Sequence, residues 1–460
     1  MPDHFRPLDR DTLLLLPPSL QDWLPEDHLA RFVVDVIAKL DMEPIRSRYS
    51  GRGSAAYQPE MMIALLLYGY ATGVFSSRRL ERATYDSVAF RFITADQHPE
   101  HDTISDFRKR FLPQVKGFFE QLLLVASEAG LLKVGRVSVD GTKIKANASK
   151  NHALSYAYAK RLKVRLKREV DQLMKLAEKA DKDDLPDGLD IPKELTRRHE
   201  RLATIDQALS EIRSREQERI GTEQVAHQAK MSERRAKERK RGAPFRRAKP
   251  KAPSRKIRPE AQVNLTDSES RIMPSSGGFV QAYNAQAAID TESRLMVSTF
   301  VSQAPVDANL LGPTIESLKA LPEQTGHVTE LLADAGYFSA ANVEKTINAG
   351  LTPYIAPSRD RHYEGLGRFA EPPNLAPGAD SVEKMRHRLK TQAGRKIYAV
   401  RKSTIEPSFG IIKSALGFRQ FLLRGKTKVG AEWSLVCMGY NLKRMHRLTA
   451  TSYVKWVNAG

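Results

Sequence analysis

The spacing of apolar residues changes period abruptly, and that change divides the chain into parts that cannot share one architecture. From about Pro25 to Gly130 the apolar residues recur at helical intervals. Pro59 suits a first helical turn, and Met62, Leu65 and Leu66 then fall on one face. Thr103-Ile-Ser-Asp106 reads as a capping box, after which Phe107, Phe111, Val115, Phe118 and Leu122 follow at helical steps up to a stop at Gly130. At Val134 the period becomes two. Val134-Gly-Arg-Val-Ser-Val-Asp140 alternates with β-branched residues and predicts a strand that ends on a carboxylate.

The strand pattern is then interrupted. Between Ser155 and Ile220 one apolar stripe runs through Leu162, Leu166, Val170 and Leu173, and another through Leu195, Leu202, Ile205, Leu209 and Ile212. The breaker Asp181-Lys-Asp-Asp-Leu-Pro-Asp-Gly188 separates them, which predicts an antiparallel helical hairpin with a narrow coiled-coil seam. From about Lys230 to Arg258 the chain is dominated by Lys and Arg, including Arg234, Arg235, Arg246 and Arg247, and loses apolar periodicity. This stretch is expected to be a basic arm that is disordered until it lies on phosphates.

Strand signals resume at Phe279. Phe279 to Asp290 and Leu295 to Gln303 predict a hairpin around Thr291-Glu-Ser. Asp307 is expected to cap a helix to about Ala320, Val328 to Asp334 to form a short strand, Ser339 to cap a helix stopped by Gly350, and Leu351 to Ile355 to form another strand. Helices follow from about Ser381. Antiparallel strands followed by β-α-β-α imply an α/β fold with a mixed sheet. The predicted domains are 1–130, helical; 131–152 with 259–450, the α/β body; and 153–258, an inserted hairpin and basic arm.

At 460 residues the chain is long enough for several cores. Its formal net charge of +20 favours a polyanionic partner, with nucleic acid the commonest. Ribosomal and membrane-peripheral proteins also reach such a charge. The single cysteine, Cys437, leaves neither a disulfide framework nor a thiolate zinc site. No secretory leader is visible, and the longest apolar run, Met61 to Tyr70, is too short to span a bilayer. A soluble cytoplasmic protein without membrane contact is expected. His101 and His152 lack metal-ligand spacing, and Trp433, Trp456 and Cys437 read as core.

Three carboxylates stand out. Asp140 closes the first strand, where Gly141-Thr142-Lys143 suggests a turn, and Asp334 closes a later strand, where open α/β sheets place their ligands. Glu406 lies seven residues before Lys413, on the same helical face. An acid at a first strand, a second at a later strand end and a third on a following helix, in a basic chain, resembles the DDE-type transposases of bacterial insertion sequences.

The residues that carry the resemblance are Ser138-Val-Asp-Gly-Thr-Lys-Ile-Lys-Ala-Asn-Ala-Ser149, Asn264-Leu-Thr-Asp-Ser-Glu-Ser-Arg271, Tyr283-Asn-Ala-Gln286, Leu332-Ala-Asp-Ala-Gly-Tyr337 and Ile405-Glu-Pro-Ser-Phe-Gly-Ile-Ile-Lys413. The helical part joins through Tyr57-Gln-Pro-Glu60 and His101-Asp-Thr-Ile-Ser-Asp-Phe-Arg-Lys-Arg110. The resemblance implies a ribonuclease-H-like catalytic domain whose triad, Asp140, Asp334 and Glu406, binds two Mg²⁺ ions, with Mn²⁺ able to replace them. It implies strand nicking followed by attack of the freed 3′-hydroxyl on target DNA, by a homodimer or larger assembly associated with the bacterial nucleoid. Lys413, Arg401, Lys402, Lys143 and the basic arm would contact DNA. A related signature spaces Tyr, Arg, Glu and Lys by two, three and six intervening residues, whereas Tyr398, Arg401, Glu406 and Lys413 give two, four and six. Either Arg401 is displaced or Lys402 takes its place. Pro407 disfavours helical geometry at Glu406, so a helix is expected to begin or kink there. The competing reading is a catalytically inactive, transposase-derived DNA-binding protein.

Overall fold

The computed structural model describes residues 19–49, 56–180, 190–245, 248–275, 277–358 and 370–450. They belong to two compact units, one comprising 1–144 and 284–460, the other 145–283. The first unit opens with α1 (Leu29–Ala38), α2 (Glu43–Arg46), α3 (Pro59–Thr72), α4 (Ser77–Asp86), α5 (Val88–Ile93), α6 (His101–Phe111) and α7 (Val115–Glu128). After β1 (Val134–Lys145) the second unit contributes β2 (Ala153–Ser155), α8 (Tyr156–Ala180), α9 (Ile191–Arg241), β3 (Gln262–Asn264) and β4 (Arg271–Ser275). The chain returns through β5 (Gly278–Asp290) to β6 (Met296–Ser302), α10 (Leu311–Lys319), β7 (Gly326–Ala333), α11 (Ala340–Asn348) and β8 (Thr352–Ile355). It closes with α12 (Ser381–Lys390), α13 (Gln392–Gly410) and α14 (Lys426–Ala450).

Helix α3 begins at Pro59, where a missing N–H costs nothing, and stops at Gly73, whose φ of +85° a side chain would strain. Every residue from Met62 to Ala71 is buried, so α3 is enclosed by its neighbours, among them α1 and α14. The approach of α14 is possible because Gly439 has no Cβ: one built there would lie 2.8 Å from Ala71 N. Helix α6 starts at His101, earlier than the capping-box reading predicts. Glu100, extended after Pro99, is its N-cap, and Thr103 falls inside the first turn.

In the first unit the sheet runs β6-β5-β1-β7-β8. Strands β1 and β7 are parallel, pairing Val139 with Ala333; β7 and β8 are also parallel, and β5 is antiparallel to β6. Thr291 N–H donates to Arg136 O and Ala146 N–H to Gln281 O, so β5 is antiparallel to β1 too. A mixed sheet with one reversed strand, flanked by helices, is ribonuclease-H-like. The hairpin predicted around Thr291 is β5 and β6, and Ser339 caps α11 through Asn342 N–H. Strand β1 does not end at Asp140 but continues to Lys145, because β5 offers it hydrogen-bond partners past that point.

In the second unit α8 and α9 pack through Leu162, Leu166, Ile205, Leu209 and Ile212. The breaker Asp181–Gly188 lies outside the described residues. Helix α9 does not stop near Ile220, and the basic stretch is not disordered where it is described: the helix runs to Arg241 and ends at Gly242, with φ of +72°. Ion pairs one turn apart replace an apolar stripe, Arg219 with Glu223 at 2.7 Å and Arg234 with Glu238 at 2.9 Å. The chain then doubles back. Phe245 lies 5.6 Å from both the Arg234 and Arg241 guanidinium groups, and His227 bonds Pro250 O. The buried Glu216 carboxylate accepts from Arg219, from the Arg258 guanidinium and from Arg258 N–H. Burial alone would raise its pKa, but those donors outweigh it and hold the group at about 2.

Glu216→Ala is expected to destabilise the second unit by about 2 kcal/mol, the usual cost of losing charged hydrogen bonds. Limited trypsinolysis should then cut faster between Arg241 and Arg258; an unchanged cleavage rate would show that the return segment is held elsewhere.

Candidate active site

Parallel pairing of β1 with β7 sets Asp140 beside Asp334. Val139 is in register with Ala333, so the next residue on each strand brings its carboxyl to the same region. Asp334 follows β7 immediately and caps a short turn by accepting from Gly336 N–H at 2.9 Å. Glu406 comes from α13. The helix does not begin there, as one of the two expectations from Pro407 had it: it starts at Gln392 with Thr391 as its cap, and Glu406 lies within it, four residues before its last, Gly410. Proline costs the helix one N–H donor without forbidding its own helical φ, and a π-helical stretch, Ile411–Ala415, follows.

The three carboxylates meet at Arg401. Its Nη2 lies 3.4 Å from Asp140 Oδ2 and 3.8 Å from Asp334 Oδ2, and its Nη1 lies 2.8 Å from Glu406 Oε1. The Arg401 side chain is 9% exposed, against 19% for Asp140, 41% for Asp334 and 53% for Glu406. The cleft therefore opens from Asp140 outward. Burial pushes the Asp140 carboxyl up to about 6; Arg401 pulls it down, while Asp334 and Asp307 push it further up.

Lys413 is half-buried nearby. Burial lowers its pKa, the Lys143 charge lowers it further and Asp140 opposes both. Lys143 itself pairs with Asp307 at 3.4 Å. Lys402 is exposed next to the inward-facing Arg401, and Arg235 is exposed on α9, where Arg234 is engaged with Glu238. Arg246 and Arg247 lie outside the described residues. Trp433 and Cys437 are fully buried, whereas Trp456 is outside the described residues.

Sequence reasoning missed the layer beneath Asp140. Asp307 does not cap α10, which begins at Leu311. Its Oδ1 accepts from Asn284 at 2.7 Å and Gln286 at 2.9 Å, while Tyr337 Oη donates to Gln286 Oε1 and Trp433 Nε1 to Gln286 O. Burial raises the Tyr337 pKa well above its ordinary value, and Asp307, Asp140 and Asp334 add to the shift. The available signal was a pair of amides two residues apart on a largely apolar strand, Asn284 and Gln286. Gly141 lies over this layer: a Cβ there would run into the Gln286 amide and stand 2.7 Å from Asp307 Oδ1.

Among the described residues no group of three or more His, Cys, Asp and Glu side chains has a spacing that would hold a metal ion. The donor set still fits a hard divalent cation in kind: three carboxylates already converge on one positive charge. Their present spacing suits a guanidinium.

The family model described as "Transposase domain (DUF772)" matches residues 18–110, and "Transposase DDE domain" matches 376–446. Both matches are to transposase domains, and together they support a DDE-type transposase. No curated protein and no solved structure matches it. A transposase acts on DNA, and the divalent metal its family generally uses suits an acidic cleft of this composition. The DDE-domain match spans Arg401, Glu406 and Lys413. Among the described residues no helix is long and apolar enough to cross a membrane.

Two outcomes test the geometry. Gly141→Ala should destabilise the first unit by about 1–3 kcal/mol in denaturant titrations, the usual cost of overpacking. Because the folded Asp140 pKa is raised, its protonation favours folding: that contribution is complete below the ordinary Asp range and is lost as pH rises through about 6. Asp140→Asn should therefore melt above the parent at pH 7, with the gap closing below pH 4 to 5. A pH-independent gap would contradict the raised pKa.

Proposed function

We propose that this DDE-type transposase cuts and joins the ends of a bacterial insertion sequence, with Asp140, Asp334 and Glu406 as the carboxylates of its catalytic centre. The observation that carries the reading is their convergence on Arg401 from two neighbouring parallel strand ends and one helix. Mg²⁺, or Mn²⁺ in its place, bound as a pair at these oxygens would activate the attacking oxygen and stabilise the leaving one. The protein's part is to gather the carboxylates, bind the DNA backbone and orient one phosphodiester. Lys413 and Lys143, both near Asp140, supply point charges for phosphates beside the scissile bond. The buried layer of Asp307, Gln286 and Tyr337 closes the inner wall and limits water on that side.

Residues 1–130 are assigned to recognition of the transposon end. The hairpin and basic stretch, 153–258, hold DNA through counterion release, with Arg235, Arg239 and Lys240 exposed on α9. Joining two ends calls for at least two copies of the chain.

Asp140→Asn, Asp334→Asn and Glu406→Gln should each reduce metal-dependent nicking of end DNA on the order of a thousandfold or more, as when one member of a catalytic unit is removed. Binding of the same DNA should stay within a few-fold by gel shift. Persistent nicking by Asp140→Asn would remove that residue from the centre. Binding without cleavage by the parent on matching ends would favour the inactive, transposase-derived reading. The triple change Arg235→Ala, Arg239→Ala, Lys240→Ala should lower the slope of log affinity against log salt by about one for each phosphate no longer neutralised. An unchanged slope would take α9 out of the DNA interface.

A further inference from the structure

We propose that Arg401 is a positioning residue whose guanidinium serves as the resident cation of the acidic cleft, gathering Asp140, Asp334 and Glu406 in the metal-free protein and yielding that place when divalent metal binds. The inference rests on the assignment of these three side chains as the catalytic carboxylates.

Three anions brought together repel one another, and the repulsion is strongest at Asp140, the most buried of the three. Arg401 relieves it with two nitrogens, Nη2 facing Asp140 and Asp334 and Nη1 facing Glu406. A guanidinium spreads its donors over a planar fork, whereas a lysine ammonium would concentrate its three at a single point. Lys143 is engaged with Asp307, and no ion pair joins Lys413 to these acids among the described residues.

The match is incomplete in a way that matters. Three carboxylates face one guanidinium, so the cluster keeps an excess of negative charge. Arg401 Nε is buried without a hydrogen-bond partner, and the hydrogen bonds to Asp140 and Glu406 come from the terminal nitrogens. A divalent ion reaching the same oxygens would stand a few ångströms from the guanidinium, and two cations so close disfavour each other. Glu406 is the guanidinium's shortest contact and the most exposed of the three acids, so a guanidinium shifting toward Glu406 would release Asp140 and Asp334 first. Arg401 thus preserves the convergence of the carboxylates and weakens their hold on metal.

The test uses the full chain as parent, Arg401→Gln, Arg401→Lys and Asp140→Asn. Mn²⁺ binding is read from the loss of the free-ion EPR signal, and melting is recorded with and without Mg²⁺. Arg401→Gln should melt lower without metal, bind Mn²⁺ about tenfold more tightly, as for ordinary competitive coupling, and show a larger Mg²⁺-induced rise in Tm. Arg401→Lys should fall between it and the parent. Equal Mn²⁺ affinity in the parent and both Arg401 variants, with Asp140→Asn binding weakly, would overturn the competition and leave the carboxylate assignment standing. Equal affinity in the parent and Asp140→Asn would overturn the assignment itself. If Arg401→Gln does not fold, Arg401→Lys decides: no gain in Mn²⁺ affinity would count against the proposal.

Discussion

Carboxylates converging in a cleft where the innermost is four-fifths buried need a positive charge among them, and here Arg401 provides it. This requirement links three distant parts of the chain. Strand β1 brings Asp140, the end of β7 brings Asp334, and α13 brings both Glu406 and the arginine that binds all three. The arginine and its nearest acid lie five residues apart on one helix, so α13 carries its own link to the sheet. Both residues precede Pro407, so the pair is fixed before the proline, and continuation of the helix through it carries the chain on toward Lys413.

Beneath the cleft lies a layer of buried hydrogen bonds around Asp307. Asn284 and Gln286 project from the reversed strand β5 and bind Asp307, Tyr337 and, through the Gln286 carbonyl, Trp433 of α14. Each bond satisfies a polar group that could not otherwise be buried. Together they tie the sheet to the helix that packs on α3. The close passage of Gly141 over this layer and of Gly439 over α3 shows that the floor of the cleft and its helical support are both packed to backbone contact.

The second unit follows a different logic. Its apolar seam ends near Ile212, and beyond that point α9 is held by ion pairs along its own surface and by the chain that returns over it. Glu216 is the fixed point: a buried carboxylate whose donors come from both the helix and the returning segment. A strongly basic stretch is thereby ordered while several of its cations stay exposed.

Much of this was legible in the sequence because it depends on local period. The switch at Val134, the hairpin at Thr291, the Ser339 cap and the position of Asp334 after a strand all follow from rules that operate within a few residues. Candidate acids could likewise be chosen by their place after strands and on a helix. What local rules misjudged depends on partners far along the chain. Strand β1 passes Asp140 because β5 pairs with it; Asp307 leaves its helix because Asn284, Gln286 and Lys143 bind it; and the basic stretch folds because Glu216 anchors Arg258. Arg401 is the clearest case. The sequence by itself determined that an arginine stands near an acid on one helix, but whether its guanidinium faced solvent or three carboxylates was decided only by tertiary structure, because burial and opposite charge act through space and not along the chain.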